Sequence, residues 1–135
     1  MRHKIIILTI LGSILSSCAN NIEFMENLLD EHKISLTRKG EPQITYDPDT
    51  FQLGYNSERC EYRVYDDKLA YWLVVKCSEK PVAEGQTIKA DVSWTGITRT
   101  HEYSGITLTV KKTDSQGYVW LWSNTDSIGI ILRNQ

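Results

Sequence analysis

The sequence predicts an all-β fold, an antiparallel sandwich or small barrel of seven to eight strands, preceded by one short helix. Two observations predict it. Apolar and polar residues alternate over many short stretches, and clusters of Asp, Ser, Asn and Gly separate these stretches. No repeat or charge run divides the chain after its first forty residues, so we expect one β-domain over 41–135. Alternation alone does not distinguish the two architectures, and we favour the sandwich slightly.

The strand-like stretches follow one another through the second two thirds of the chain. Their alternation places them at 44–46, 51–55, 60–64, 69–77, 88–94, 106–110, 118–122 and 128–132. The stretch 69–77 is apolar on both faces except at Lys76, which is typical of a central strand. The stretch 95–103 is polar without a clear period, and we expect a loop there.

A short amphipathic helix is expected ahead of the strands. Ile22, Met25, Leu28 and Leu29 recur at the spacing of one helical face, and Asn21 is a suitable N-cap. The spacing predicts a helix over 21–33. Its polar side is acidic, which disfavours contact with anionic headgroups, so we expect the helix to pack on the domain.

Residues 1–17 have the composition of an export signal. Arg2 and Lys4 form a basic head, 5–15 form an apolar run, and small residues precede Cys18. The run is shorter than the roughly 20 residues that a membrane-spanning helix needs. We therefore predict a signal peptide over 1–17, and the remaining sequence has no second run long enough to cross a bilayer.

The residues Leu15-Ser16-Ser17-Cys18 resemble the bacterial lipobox, an aliphatic residue and two small residues before an invariant Cys. The resemblance implies a diacylglycerol on the Cys18 thiol, cleavage just before Cys18, and an acyl chain such as palmitate on the new amino group. The membrane would then be a partner, and 18–40 a lipid-anchored tether. The alternative is an ordinary secreted protein with an incidental Cys.

The residue after Cys18 bears on the destination of such a lipoprotein. Ala19 stands where the inner-membrane retention signal of enteric lipoproteins has Asp, so the resemblance favours the cell outer membrane. The surface-export signal of Bacteroides-type lipoproteins has an acidic cluster soon after the Cys, and Ala19-Asn20-Asn21 does not resemble it. This lowers the expectation of surface display, and both the periplasmic and the surface face stay open.

The other two cysteines are Cys60 and Cys77. Because the compartment beyond the inner membrane is oxidising, and a turn at Asp66-Asp67-Lys68 separates their strands, we expect a disulfide between them across a hairpin. The alternative is a pair of buried thiols.

One row of aromatic residues is the candidate ligand-binding feature. Tyr118, Trp120 and Trp122 project from one face of their strand, and Val119 and Leu121 from the other. Exposed rings in a row are suited to stacking on a glycan. The alternative is that the row faces the core, while Val119 and Leu121 face a loop or the helix.

Three smaller motifs have weak support. Asp126-Ser127-Ile128 resembles the O-glycosylation motif of exported Bacteroides-type proteins, which makes Ser127 a candidate acceptor. Asp47-Pro48-Asp49 resembles a fragment of a calcium loop, but a turn is favoured because further ligands and the set Gly are missing. His32 and His101 lack the spacings of a zinc site. We therefore assign no catalytic residue, no metal site and no cofactor.

Charge excludes one class of partner. The formal net charge is −2, and without Arg2 and Lys4 of the signal it is −4, so nothing favours binding to nucleic acid. Stretches at 51–56, 84–87 and 119–122 resemble those of small Bacteroides-type lipoproteins, a group that brings no activity to carry over.

Three functions remain as expectations. The first is a non-catalytic binding or structural module of the envelope that contacts a glycan or an envelope protein. The second is an accessory subunit or inhibitor that acts on a protein partner through an edge strand or the loop 95–103. The third and weakest is a small enzyme, which would need a pocket holding His101 with Glu102 or Asp91.

Overall fold

The computed structural model describes residues 26–46, 60–68, 70–95 and 99–134 of the chain. Within these ranges all regular structure is β. The eight strands are β1 Ile34–Arg38, β2 Ile44–Tyr46, β3 Glu61–Asp66, β4 Tyr71–Cys77, β5 Thr87–Thr95, β6 Thr100–Thr113, β7 Tyr118–Ser123 and β8 Ile128–Arg133. The predicted all-β class and the number of strands are confirmed.

The strands form a single antiparallel sheet that nearly closes on itself. Its order is β2-β1-β8-β7-β6-β5-β4-β3, so strands that follow one another in sequence pair, except β2 and β3, and β1 pairs with β8. The two end strands, β2 and β3, come close to each other. This is an up-and-down barrel, in which near closure protects the strand edges. Of the two expected architectures, the slightly favoured sandwich is therefore wrong and the barrel is right.

The interior of the barrel is a packed apolar core. Alternate residues of each strand point inward, as the burial of β3 and β5 shows. The large inward side chains include Leu36, Tyr46, Tyr62, Leu73, Ile88, Leu108, Leu121 and Ile130. Burial raises the pKa of the Tyr46 phenol, and nearby Asp66 and Tyr71 raise it further.

Two predicted boundaries differ from the structure. Strand β1 lies within the segment assigned to the tether, so the β-domain begins before residue 41. In the expected loop 95–103, residues Thr100 to Tyr103 already belong to β6 and pair with β5. The predicted strand 51–55 and the turn Asp47-Pro48-Asp49 lie outside the described residues.

The predicted helix over 21–33 is wrong over residues 27–33. Residues 27–30 form turns and 31–33 have no regular structure, with hydrogen bonds from Leu29 N to Glu26 O (3.1 Å) and from Glu31 N to Leu28 O (3.0 Å). Side chains of the barrel bond the carbonyls of Leu28 and Leu29, as shown below, and tertiary contacts thus override the helical spacing. We call residues 26–33 the strap; residues 21–25 of the predicted helix lie outside the described residues.

The barrel has two different ends. The connections after β1, β3, β5 and β7 lie at one end, which we call the hairpin end. The connections after β4 and β6, the entry from the strap into β1 and the chain after β8 lie at the other, which we call the loop end. The strap therefore joins β1 at the loop end.

Candidate functional site

The aromatic row lies on the outer face of the barrel. Val119 and Leu121 point inward and belong to the main core, whereas Trp120 and Trp122 belong to a separate apolar cluster outside it. Tyr118 packs against this outer cluster. The alternative, in which the aromatic row faces the main core and Val119 and Leu121 face outward, is therefore wrong.

The strap covers the row. Leu28 is buried in the outer cluster beside Trp120 and Ile131, and Leu29 packs at its margin. Trp120 Nε1 donates a hydrogen bond to the carbonyl of Leu28 (3.0 Å), and Lys112 Nζ donates one to the carbonyl of Leu29 (3.0 Å). Both bonds are made to main-chain atoms, so these two barrel side chains hold the backbone of the strap.

A β-bulge supplies two cations to the same face. The register between β6 and β7 shifts between Val110 and Lys112, which allows two consecutive lysines to reach the row. Lys111 Nζ lies 4.7 Å from the ring centroid of Trp122, and Lys112 Nζ lies 4.8 Å from that of Trp120. These are cation–π distances. Adjacent lysines at the end of a strand are usually solvated, so the sequence pattern does not reveal these ring contacts.

A hydrogen bond between His32 and Asp114 fixes the other end of the strap. His32 Nε2 lies 2.8 Å from Asp114 Oδ2, and its ring stands edge-on to Tyr118 and Trp120. Desolvation by burial would raise the pKa of Asp114, but the N–H groups of Tyr118 and Gln116, together with His32, lower it below its ordinary value. Asp114 therefore stays ionised and available to His32.

The row is consequently closed to a ligand in this state of the molecule. Trp120 is 0% exposed and Trp122 is 8% exposed. A glycan-stacking platform needs exposed ring faces. The candidate site residues Tyr118, Trp120 and Trp122 are thus brought together on one face as expected, but that face serves as the docking surface of the strap.

Two hydroxyl groups beside this face are buried without a hydrogen bond. Ser35 and Thr37 lie on the outward side of β1, opposite Ile131 and Gly129 of β8. Their hydroxyl oxygens have no partner among the described residues. The alternation along β1 does not reveal this burial, because a Ser or Thr that alternates with Ile and Leu usually faces solvent.

The β4–β5 loop at the loop end is held rigidly by one side chain. Gln86 Oε1 accepts hydrogen bonds from the N–H groups of Val82 (2.8 Å) and Ala83 (3.1 Å). Gln86 Nε2 donates to Glu79 Oε1 and to the Lys80 carbonyl, both at 2.9 Å. The loop 78–86 is therefore ordered from within.

The same loop is also pinned to the barrel and carries an exposed apolar tip. Asn134 Nδ2 donates to the Pro81 carbonyl (2.8 Å), and Asn134 Oδ1 accepts from the Tyr62 hydroxyl. Val82 is 57% exposed at the tip. Sequence reasoning treated this stretch only as a loop, since no local pattern reveals the role of Gln86.

The structure brings Cys60 and Cys77 to the base of this loop. Cys77 N donates to the Cys60 carbonyl (2.9 Å), and both residues are buried. Burial, with a smaller contribution from Cys60, raises the pKa of Cys77 to about 12. No bond joins the two sulfur atoms. Residues opposite each other in this way lie about 5.5 Å apart at Cα, which a disulfide spans, and the expected disulfide stays a prediction.

The residues required by the enzyme hypothesis do not converge. His101 stacks on Trp94 at 4.9 Å between ring centroids, on the inner side of β6, while Glu102 points outward. Asp91 and Glu102 line a shallow groove of about 210 Å³ on the outer face, which His101 does not line. Asp91 accepts a hydrogen bond from Gly105 N at 2.8 Å, which gives it a structural role at the β5–β6 bulge.

Other expected sites can be placed only in part. Ser127 lies half-buried in the β7–β8 turn with a φ of 54°, and its carbonyl accepts from Lys39 N (2.9 Å); its glycosylation stays a prediction. Cys18 lies outside the described residues. Across the described ranges there is no group of three or more His, Cys, Asp or Glu placed to hold a metal. In the same ranges, no helix has the length and apolar character to cross a membrane.

Comparisons with protein-family models, with curated proteins and with solved structures give no match to this chain.

Proposed function

We propose that the chain is the precursor of an envelope lipoprotein, anchored through acylated Cys18, whose barrel is a non-catalytic binding or structural module. The observation that carries this proposal is the docking of the strap. Glu26 lies eight positions after Cys18 and already approaches Lys111 of the barrel at 4.0 Å. A domain clamped so soon after its anchor is held beside the membrane and does not move on a long linker.

The localisation follows from the same anchor. Residues 1–17 act as the signal peptide, Cys18 becomes the acylated first residue, and Ala19 favours the outer membrane. A disulfide between Cys60 and Cys77 forms in the oxidising compartment and staples β3 to β4.

The anchor is tested by expressing the full chain and its Cys18→Ala variant in a Gram-negative bacterium. The parent is expected in the membrane fraction, with the mass of residues 18–135 plus acyl chains. Cys18→Ala is expected uncleaved or soluble, without the added mass. Cys60→Ser is the matched control and should partition like the parent. A Cys18→Ala protein that is still cut and still partitions with membranes contradicts the proposal.

A second candidate function is an accessory subunit or inhibitor that acts on a protein partner. The ordered loop 78–86 favours it, because a preorganised loop loses little conformational entropy on binding. Its exposed Val82 is an apolar contact point at the loop end of the barrel.

The second candidate is tested by photo-crosslinking in intact cells. A crosslinking residue at Val82 should give one adduct of discrete mass, and the same residue at exposed Thr125 of the hairpin end serves as the control. Equal labelling from both positions, or no adduct at Val82, argues against a partner at the loop.

A further inference from the structure

The strap has a direction along the barrel. Its first described residue, Glu26, faces Lys111, whose ammonium lies over Trp122, the penultimate residue of β7. Its other end, His32, contacts Asp114 and Tyr118 at the start of β7. Along β7 the strap therefore runs from the level of Trp122, next to the β7–β8 turn, to the loop end, where it enters β1.

The distance between the anchor and this starting point is limited by chain length. Eight residue steps separate Cys18 from Glu26, and a fully extended chain covers about 28 Å over them. A domain of this size has a diameter of the same order. The bilayer surface is thus within one domain diameter of the point where the strap begins.

The direction of the strap makes the two ends of the barrel unequal. The level of Tyr118 lies about 13 Å beyond that of Trp122, at a strand rise of about 3.3 Å per residue. If the loop end faced the bilayer, the segment between Cys18 and Glu26 would have to cover these 13 Å in the reverse direction, which is about half of its maximal length of about 28 Å. If the hairpin end faces the bilayer, the segment between Cys18 and Glu26 needs no such reversal of direction.

The hairpin end has the chemistry to lie near headgroups. Lys39 and Lys68 stand there beside Glu41 and Asp67, and all four are exposed. A surface of mixed charge is neither strongly repelled by anionic lipids nor dependent on them. The loop end, with Val82, is at the opposite side.

We propose that the docked strap orients the barrel on the membrane, with its hairpin end toward the lipid surface and the loop 78–86 pointing away. This proposal rests on the acylation of Cys18 proposed above. The strap thereby has a second role besides covering the aromatic row, because it sets which surface of the domain other molecules meet.

The test uses the acylated full chain, purified from membranes and reconstituted in phosphatidylethanolamine–phosphatidylglycerol vesicles that contain a headgroup spin label. A fluorophore is placed on Thr125→Cys in the β7–β8 turn or on Ser115→Cys in the β6–β7 turn. Both positions are exposed turn residues close to the strap, at opposite ends of the barrel. The parent protein, in which Cys60 and Cys77 are buried, gives the labelling background.

Quenching of the Thr125→Cys label is expected to be at least about twice that of the Ser115→Cys label, given the strand length between them. In the background of Leu28→Ser with Leu29→Ser, which loosens the strap, the difference should shrink. Equal quenching in the parent background, or stronger quenching at Ser115→Cys, overturns the orientation. Failure of the protein to associate with the vesicles contradicts the lipid anchor instead, so the two failures are distinguishable.

Discussion

Thr37 shows at the residue scale that the outer face of β1 is not an ordinary solvent face. Its hydroxyl is buried, as is that of Ser35, and neither makes a hydrogen bond within the described ranges. An unpaired buried hydroxyl costs about 1–3 kcal/mol. Removing the Thr37 hydroxyl should therefore stabilise the folded protein.

Thr37→Val is therefore expected to raise the free energy of unfolding by about 1 kcal/mol, because it keeps the branched shape and removes the unpaired group. The measurement is urea unfolding followed by tryptophan fluorescence. Thr45→Val, at an exposed position of neighbouring β2, is the control and should change little. A loss of stability in Thr37→Val comparable to a lost hydrogen bond contradicts the assignment.

The cysteine pair gives a second prediction at this scale. Because burial raises the pKa of Cys77 to about 12, its thiol stays protonated and reacts slowly in the folded protein. If reduced, this group stabilises the fold fully below the ordinary thiol pKa of about 8.5, and the contribution is lost as the pH rises from there through the folded value.

The thiol count distinguishes the two states of the pair. Protein isolated from the envelope should show no reactive thiol at Cys60 and Cys77 after denaturation, and two after reduction. Alkylation followed by mass spectrometry makes the measurement. Two thiols before reduction would establish the buried-thiol alternative and remove the disulfide.

Local pattern predicted some residue roles and missed others for a physical reason. The alternation around Trp120 correctly separated its face from that of Val119. The partners of Trp120 were not predictable, because the Leu28 carbonyl comes from a segment 92 positions away. The contact of His32 with Asp114 was likewise not predictable, because the two residues lie 82 positions apart in the chain.

At the element scale, the strap is held by a nearly balanced set of contributions. Burial of Leu28 and part of Leu29 contributes about 3 kcal/mol. The hydrogen bonds from Trp120 and Lys112 add about 3 kcal/mol. Ordering eight residues of backbone costs about 8 kcal/mol at the lower limit. The strap is therefore expected to open locally at a much lower free energy than the barrel unfolds.

The contact of His32 with the Asp114 carboxylate makes that opening sensitive to acid. Against desolvation, the pKa of folded Asp114 is lowered first by the N–H groups of Tyr118 and Gln116 in its own turn and then by His32 of the strap. Only the His32 contribution depends on the docked strap; it is present above the ordinary carboxylate pKa of about 3.9 and is lost as the pH falls below it. We expect the strap to loosen in this acid range before the barrel unfolds.

Hydrogen exchange of the strap amides as a function of pH, corrected for intrinsic rates, measures this step. Asp114→Asn should abolish it, because its side chain cannot change charge. Glu26→Gln, which removes only the long contact to Lys111, is the matched control and should retain it. An acid step unchanged in Asp114→Asn would assign the loosening to another carboxylate.

Two elements illustrate where sequence reasoning fails. The helical spacing of Leu28, Leu29 and His32 reflects which side chains face the barrel, but the barrel bonds the backbone carbonyls and turns replace the helix. In β1, Ile34 and Leu36 alternate over too few residues to outweigh the preceding helical pattern. Its strand pairing is provided by β8, about one hundred positions later.

At the scale of the whole molecule, short turns and alternation predicted an antiparallel all-β domain but did not fix its closure. A sandwich and a barrel require the same inward and outward pattern along each strand. The deciding feature is the pairing of β1 with β8, which is a long-range contact. The strap lies across β6, β7 and β8 and so joins the chain that precedes it to this closed sheet.

Radical footprinting of the four tryptophans in the folded protein tests the central claim, that the strap covers the aromatic row, most directly. Buried Trp94 and half-buried Trp72 serve as internal references. Trp120 and Trp122 should be protected like Trp94 in the parent, and Trp120 should become reactive in Leu28→Ser with Leu29→Ser while Trp94 stays protected. Oxidation of Trp120 and Trp122 in the parent at a rate equal to or above that of Trp72 would contradict the docked strap.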